Sequence, residues 1–379
     1  MFPYQSFKYG IWILNFYGVL IYPGAVMKQK YIKLCKYFNF VALFVTYVPY
    51  ISTFIDMSLN EEIVTSIIFV LAFLVMITVT YQNQRSYQDI LDKGFKMLTK
   101  SFQDNLFFLC RKIILCLVFC IALFIGSLIA SVASHPDLLR QEFAVYPIFP
   151  DDSSLVITLK SSCIMTLFCL YIEGQLLPGI IIVCLLNTTL VFVIKKLDNN
   201  LTNLLRKQGR HERQESLNTF RQDLRQYWEI KRETDRCTKF FVLTWFVMMM
   251  STMLTFLSKV AISQEQYVSV KILFICNNSY ALMHILIIIA MLLYCDHCDK
   301  RYEDLVHRAS SVVGLKNIMP EDYGLDESIL LHLELSNRPD TRYTVYGMFT
   351  LDRCLLLSFI SAAINFYVMS IQIRVANKE

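Results

Sequence analysis

Seven separate stretches of this chain are each long and apolar enough to cross a membrane as a helix. A transmembrane helix needs about 20 mostly apolar residues, because the hydrocarbon core is about 30 Å thick and offers the backbone no hydrogen-bond partners. Of the 379 residues, 55% are hydrophobic and 18% are charged, against about 25% charged in soluble domains. The sequence therefore predicts an all-α membrane protein with a single transmembrane domain over residues 1–379. The seven predicted spans are 37–55, 63–81, 113–132, 164–194, 240–258, 270–294 and 348–373.

Two apolar stretches depart from the simple pattern. The stretch 164–194 is longer than a bilayer requires and is interrupted by Glu173 and Pro178, so we expect a tilted or bent helix, or one that continues beyond the lipid. An eighth stretch, 9–26, is short and broken at Pro23. It is interpreted as an interfacial or re-entrant segment and not as a span.

Basic residues are distributed unevenly among the segments that connect the spans. The connection 56–62 has no Lys or Arg, whereas 195–239 has twelve. Segments 1–36, 82–112 and 295–347 are also basic, and they alternate with poorly basic ones. Lys and Arg near span ends stay on the cytoplasmic side, so the amino terminus is predicted to be cytoplasmic and the carboxyl terminus extracellular. G-protein-coupled receptors have the opposite orientation, which argues against that class.

The two longest basic segments, 195–239 and 295–347, are predicted to form a cytoplasmic helical anchor region. In each of them, apolar side chains recur at spacings of three and four, the pattern of an amphipathic helix. The first stripe would pack either on its own subunit or on a neighbouring one. The stripes are Leu217, Phe220, Leu224, Tyr227 and Trp228 in the first segment, and Leu325, Ile329, Leu330 and Leu333 in the second.

Enzymes, metalloproteins and nucleic-acid-binding proteins find little support. The net charge of +5 follows from the basic cytoplasmic segments, which carry no aromatic-interleaved basic patch, so no nucleic-acid partner is expected. Cys295, His297, Cys298 and Asp299 resemble a metal site, but no second ligand pair of matching spacing exists. These cysteines are interpreted as reduced juxtamembrane thiols of a type that can be acylated. We find no catalytic constellation and expect no enzyme activity, cofactor or metal.

Several polar side chains interrupt the fourth and sixth spans. Polar groups at membrane depth are costly unless they pair or face water. Two interpretations remain open: hydrogen bonding between helices, or a ligand pocket. The residues are Glu173, Gln175, Asn277, Asn278, Tyr280 and His284.

The last span carries the most specific motif. Residues 347–356 contain a Gly-x-Phe-x-Leu-x-x-x-Leu-Leu stretch, formed by Gly347, Phe349, Leu351, Leu355 and Leu356. Further on, Asn365 and Phe366 are followed by five mostly apolar residues and then by Gln372 and Ile373. This resembles the carboxy-terminal signature of the insect gustatory receptor family, in which Thr-Tyr precedes the five residues and Gln-Phe follows them. The related odorant receptors share the seven-span layout, but the Gly-x-Phe-x-Leu stretch fits the gustatory branch better.

The resemblance implies a ligand-gated, non-selective cation channel in the plasma membrane of sensory neurons. In this family four subunits, identical or related, place their seventh helices around one pore, and the cytoplasmic helices hold the subunits together. The expected partners are therefore a small-molecule tastant, the permeating cations, membrane lipid and other receptor subunits. Alternatives are a non-channel membrane protein, such as a small-molecule transporter or a seven-span hydrolase, or an odorant receptor of the same superfamily.

The residues themselves are compatible with a pore. Asn365, Val368, Met369 and Gln372 share one helical face, and four copies would present a ring of Gln372 amides to a cation. Alternatively, that face packs against a neighbouring helix. The 28 Phe and 21 Tyr favour an apolar, bitter or contact-pheromone ligand over a sugar.

Overall fold

The structure is a computed structural model, and almost all of the chain that it describes is helical. It describes residues 7–22, 27–38, 41, 71, 74–134, 177–206, 210–262, 270–314, 331, 333–340, 342–345 and 349–376. The helices are α1 (Lys8–Phe16), α2 (Gln84–Met97), α3 (Lys100–Ser134), α4 (Leu177–Arg206), α5 (Arg210–Ile262), α6 (Val270–Gly314) and α7 (Arg353–Ala376). Two short strands, β1 (Thr344–Val345) and β2 (Phe349–Thr350), precede α7. The predicted spans 37–55 and 63–81 lie largely outside the described residues.

Two helices run without a break from a predicted span into the predicted cytoplasmic anchor. The 53 residues of α5 contain both the first amphipathic stripe and the fifth span, and at 1.5 Å per residue they extend about 80 Å. The 45 residues of α6 likewise join the sixth span to the anchor. A hydrocarbon core is about 30 Å thick, so either helix is long enough to cross it and to continue into the predicted anchor.

Helix α4 forms the centre of the described structure and contacts α1, α2, α3, α5 and α6. A Cβ atom added at Gly179 would overlap the ring of Phe241, which stands at the predicted start of the fifth span. Further along α4, Asn187 contacts Cys295, just past the predicted end of the sixth span. Most of the described part of the predicted span 164–194 therefore lies beside the segments predicted to form the anchor.

The first stripe of the anchor packs within its own chain. Leu217, Phe220, Leu224 and Tyr227 are buried. Trp228 is partly buried and donates a hydrogen bond from Nε1 to the Tyr302 hydroxyl at 2.6 Å, which ties α5 to α6. Of the two placements expected from the sequence, the structure has the stripe on its own subunit.

The second stripe was predicted in the wrong register. Leu333 is half exposed, whereas Leu331 and Leu335 are buried. Residues four apart share a helical face, and a residue two positions away points elsewhere, so Leu333 cannot join the other two. Between them, Glu334 accepts hydrogen bonds from Arg221 of α5, at 3.1 and 2.7 Å. Leu325, Ile329 and Leu330 lie outside the described residues.

The described part of the predicted segment 9–26, residues 9–22, forms a short helix and a return. At nine residues, α1 extends about 14 Å, half of a hydrocarbon core. Gly18 has a φ of +82°, a left-handed conformation that suits glycine and reverses the chain. Leu20 and Tyr22 then donate backbone hydrogen bonds to Gln84 and Gln88 of α2, at 2.8 and 3.2 Å. Helix α1 thus contacts α3 and α4, and the chain then turns back to α2.

Helix α7 begins later than the predicted span 348–373. Thr344 pairs with Thr350 and Val345 with Phe349 in an antiparallel hairpin. Asp352 then accepts a hydrogen bond from the Leu355 amide at 2.9 Å. A carboxylate in this position satisfies a free amide of the first helical turn, so the helix begins at Arg353.

Candidate functional site

The four residues predicted to line a pore lie on α7, and their side chains are exposed. Asn365, Val368, Met369 and Gln372 share one face of the helix. A different face packs on the chain itself, where the ring of Phe359 lies 5.7 Å from that of Phe246 on α5. Within one copy of the chain, the Gln372 face is therefore not packed against a neighbouring helix among the described residues.

The family motif divides into a structural half and an exposed half. Phe349 lies in β2, Leu351 is buried and Leu355 is partly buried against the core. Phe366 is partly buried, whereas Gln372 and Ile373 are exposed. Gly347 lies outside the described residues, as does the side chain of Leu356. The first half of the motif thus builds the hairpin and the first turn of α7.

The residues proposed for a ligand pocket fall where side chains are not described. Glu173 and Gln175 lie outside the described residues. Asn277, Asn278, Tyr280 and His284 belong to α6, where the description covers the backbone alone. Asn277, Tyr280 and His284 are separated by three and four positions, so they share one face of α6.

Beneath the hairpin, α4, α5 and α6 enclose a group of buried and partly buried side chains that we call the base cluster: Asn187, Lys231, Asp235, Cys295, Asp299 and Tyr343. The Tyr343 hydroxyl donates a hydrogen bond to Asn187 Oδ1, and its backbone amide donates to Asp299 Oδ2 at 3.1 Å. Asn187 Nδ2 lies 3.7 Å from Cys295 Sγ. Tyr343 immediately precedes β1, so these bonds hold the segment that leads into α7.

Lys231 is the buried cation of the base cluster. Only 1% of its side chain is exposed, and its ammonium group lies over the Tyr343 ring and 2.9 Å from Asp235 Oδ1. A buried charge is tolerated when it is paired in this way. Burial raises the pKa of Asp299 to about 6, although the charge of Lys231 opposes the shift. Burial also raises the pKa of Asp235.

A second connection reaches the first residue of α7. The buried carboxylate of Asp296 lies 2.8 Å from the guanidinium of Arg353 and 2.9 Å from the Lys300 ammonium. A cavity with room for about one water molecule lies within the base cluster, bordered by Asn187, Tyr343 and Leu351. The start of α7 is therefore joined to α6 by an ion pair and to α4 through Tyr343.

The expected juxtamembrane thiols are not at the surface. Cys295 and Cys298 are free thiols, as predicted, but both are buried and therefore not accessible for acylation. Their helix packs inward at these positions, and burial raises the pKa of Cys298 to about 12. Among the described residues, no three His, Cys, Asp or Glu side chains are placed to hold a metal ion together.

Sequence reasoning missed most of the base cluster. Lys231 looked like one of twelve basic residues in an orienting segment, and Tyr343 belonged to no pattern. Asn187, which lies in an apolar run before Thr188 and Thr189, was the available signal. A buried amide in such a run usually has a partner, but the sequence does not say which.

The fold is built almost entirely of long helices among the described residues. The sequence matches the family described as 7tm chemosensory receptor over residues 9–377, and the chain belongs to that family. This confirms the predicted superfamily.

The fold is similar to that of the insect olfactory receptor OR5 from Machilis hrabei. The structure of OR5 in complex with eugenol has a TM-score of 0.72 at 14% identity, with 97% of each chain covered. A second OR5 structure has a TM-score of 0.67, at the same identity and coverage. Comparison with curated protein sequences finds no significant match.

Proposed function

We propose that this chain is a gustatory receptor that forms a ligand-gated, non-selective cation channel from four subunits, identical or related. The observation that carries the proposal is the uncovered surface of α7. The helix is apolar enough to cross a membrane, yet none of its most apolar part is buried within one copy. Asn365 and Gln372 lie on its exposed face, where a wholly lipid-covered helix would not favour amides.

Four copies of α7 around one axis would give these amides an aqueous surrounding. Gln372 side-chain oxygens could then replace water around a cation, and rings of Val368 or Met369 nearby could close the pore by dewetting. The amino terminus is taken to be cytoplasmic and the carboxyl terminus extracellular, in seven spans, in accordance with the basic segments. The protein would reside in the plasma membrane of sensory neurons.

The base cluster and the Asp296–Arg353 ion pair would transmit ligand binding to α7. They join its first turn to α4 and α6, and α6 also carries Asn277, Tyr280 and His284. A ligand that moves α6 would thereby move the start of the pore helix. The ligand must bind the open arrangement more tightly than the closed one, since equal affinities shift nothing.

The gustatory assignment rests on the motif at Gly347, Phe349 and Leu351, and the aromatic content favours a bitter or contact-pheromone ligand over a sugar. An odorant receptor is the second candidate, because the similar OR5 is an olfactory receptor and was solved with eugenol. Nothing in the described part of the chain supports the transporter or hydrolase alternatives.

The decisive experiment measures whole-cell current in cells that express the chain alone or with candidate partner receptors. The panel contains bitter compounds, cuticular lipids, sugars and volatile aromatics, so that the ligand class separates the gustatory from the odorant proposal. Gln372→Ala should change the cation permeability ratio or the conductance.

Ile371→Ala is the matched control, because Ile371 is exposed on α7 about 100° from Gln372. Its currents should keep the wild-type permeability ratio. Ligand-evoked currents that Gln372→Ala leaves unchanged, at equal surface expression, would contradict the placement of Gln372 in the pore.

A further inference from the structure

Helix α1 has one fully buried face and one aromatic face that the chain leaves uncovered. Ile11 and Leu14 are completely buried, whereas Tyr9, Trp12 and Phe16 are 44%, 52% and 39% exposed. The spacing of three and four places these aromatic residues in one row. The rings of Trp12 and Phe16 are stacked, with centroids 6.1 Å apart and planes 18° apart. A fixed aromatic surface of this kind is unfavourable in contact with water alone.

Helix α3 extends this surface with basic residues. Phe108, Arg111 and Lys112 are exposed, and the Arg111 guanidinium lies over the Tyr9 ring, 5.7 Å from its centroid. Phe107, beside Phe108, lies 6.4 Å from the Tyr9 ring. The aromatic row of α1 and the exposed residues of α3 therefore form one continuous surface. We call it the aromatic-basic patch: Tyr9, Trp12, Phe16, Phe108, Arg111 and Lys112.

The patch lies where the membrane boundary is expected. The third predicted span begins at residue 113, directly after Arg111 and Lys112. One and two turns further along the same face, Leu115 and Phe119 are exposed and wholly apolar. Trp and Tyr concentrate at the level of the lipid headgroups because their rings are amphipathic. Along α3 the surface thus changes from basic and aromatic to apolar. The bilayer changes in the same order, from charged headgroups to apolar acyl chains.

The cations of the patch remain available to an anion. No ion pair joins Arg111 or Lys112 to a carboxylate among the described residues, and the same holds for exposed Lys8, next to Tyr9. The acidic residue on this face of α3 is Asp104, about two turns before Arg111 and away from the predicted span. The charge of the patch is therefore complementary to a phosphate at the predicted cytoplasmic boundary.

We propose that the aromatic-basic patch binds an anionic phospholipid of the cytoplasmic leaflet. The phosphate contacts Arg111 and Lys112, and the upper acyl chain packs on the Trp12 and Phe16 rings. The lipid covers the aromatic row, and the phosphate supplies the anion that no described residue supplies. This binding goes beyond the proposed channel function and does not depend on it.

Trp12 provides a direct measurement, because it is one of three tryptophans and lies within the patch. The full chain is reconstituted in phosphatidylcholine vesicles that contain one-fifth phosphatidylserine. Lipids with brominated acyl chains quench the fluorescence of a tryptophan that they contact. In one sample the phosphatidylserine is brominated, and in the other an equal amount of the phosphatidylcholine is. The same measurement on Trp12→Phe gives the quenching of the other two tryptophans. The difference between wild type and variant is the quenching of Trp12. The enrichment is expressed as the binding constant of phosphatidylserine relative to phosphatidylcholine at Trp12. It should be about five or more, since one basic residue near an anionic surface contributes roughly that factor.

The variant Arg111→Gln/Lys112→Gln should reduce the enrichment to about one. Arg206→Gln/Arg232→Gln removes the same charge from exposed positions on α4 and α5 and should leave the enrichment intact. Equal quenching by the two labelled lipids in the wild type would overturn the proposal and leave an ordinary lipid-facing surface. Unchanged enrichment in the patch variant would overturn it as well. No channel current enters the readout, so a failed channel proposal would not affect it.

Discussion

Helices α4 and α7 are alike in composition and opposite in surroundings. Both are long and apolar enough to cross a membrane, and among the described residues they are the two helices of which this holds. In the most apolar part of α4, 94% of the residues are buried by the chain itself, against 0% in α7. Apolar composition shows that a helix avoids water, but it does not show whether protein or lipid covers the helix. Five helices of the same chain cover α4, whereas lipid or other subunits must cover α7.

The polar residues of the two helices differ in the same way. In α4, Thr188 and Thr189 donate to backbone carbonyls one turn earlier, at 2.6 and 2.8 Å, and Asn187 pairs with Tyr343. In α7, Asn365 and Gln372 are exposed. The α4 polar groups are thus satisfied within one chain, and those of α7 need water, an ion or a second subunit. This contrast distinguishes a structural helix from a candidate functional one.

The largest expected effect comes from the charge buried near α4. Lys231→Met leaves Asp235 and Asp299 without their buried cation, and removal of one partner of a buried pair costs about 3–5 kcal/mol. The free energy of unfolding, or the apparent Tm in detergent, should fall accordingly. Lys93→Met is the control, because the Lys93–Glu233 pair is partly exposed and such pairs contribute about 1 kcal/mol or less. Equal losses in the two variants would contradict the burial of Lys231.

Matched leucines test the comparison of α4 and α7 directly. Leu190 of α4 is completely buried, and Leu357 of α7 is 65% exposed. Leu190→Ala should cost about 3 kcal/mol, because it leaves a cavity in a packed core. Leu357→Ala should change the stability of a single subunit by less than about 1 kcal/mol.

The thermal denaturation of monomeric and assembled protein in detergent measures both effects. If Leu357→Ala destabilises the assembly and spares the monomer, the exposed face of α7 is a contact between subunits. A similar loss in both variants of the monomer would show that the two helices are not opposite in burial.

A smaller effect is expected from the pH dependence of the base cluster. The pKa of Asp299 is raised to about 6 in the fold, so the fold favours its protonated form and loses stability as the pH rises from about 4 through 6. Lys231, Asp235 and Asp296 face the same carboxyl, and Asp235 shifts in the same direction. Between pH 4 and 7 the free energy of unfolding should therefore fall by about 2 kcal/mol less in Asp299→Asn than in the wild type. Melting curves between pH 4 and 7 compare the variant with the wild type, and parallel curves would refute the assignment.

The sequence alone was sufficient for the helical class and the superfamily. Apolar length and the motif from Gly347 to Leu356 are local signals, so they needed no tertiary structure. The register at Leu333 was predicted wrongly, and the burial of Cys298 was not predicted. In both cases the direction of a side chain depends on which neighbouring helix packs there, and periodicity does not identify that neighbour.

The sequence by itself determined which segments avoid water and to which family the chain belongs. Only the tertiary structure decided what surrounds each segment. Asn187 and Tyr343 are 156 residues apart, and their hydrogen bond exists because α4, α5 and α6 bring them together. Hydropathy reflects the free energy of transferring a side chain out of water. This free energy is nearly the same for transfer into lipid as for transfer into a protein core. The burial of α4 and the exposure of α7 therefore became visible only once the chain had packed.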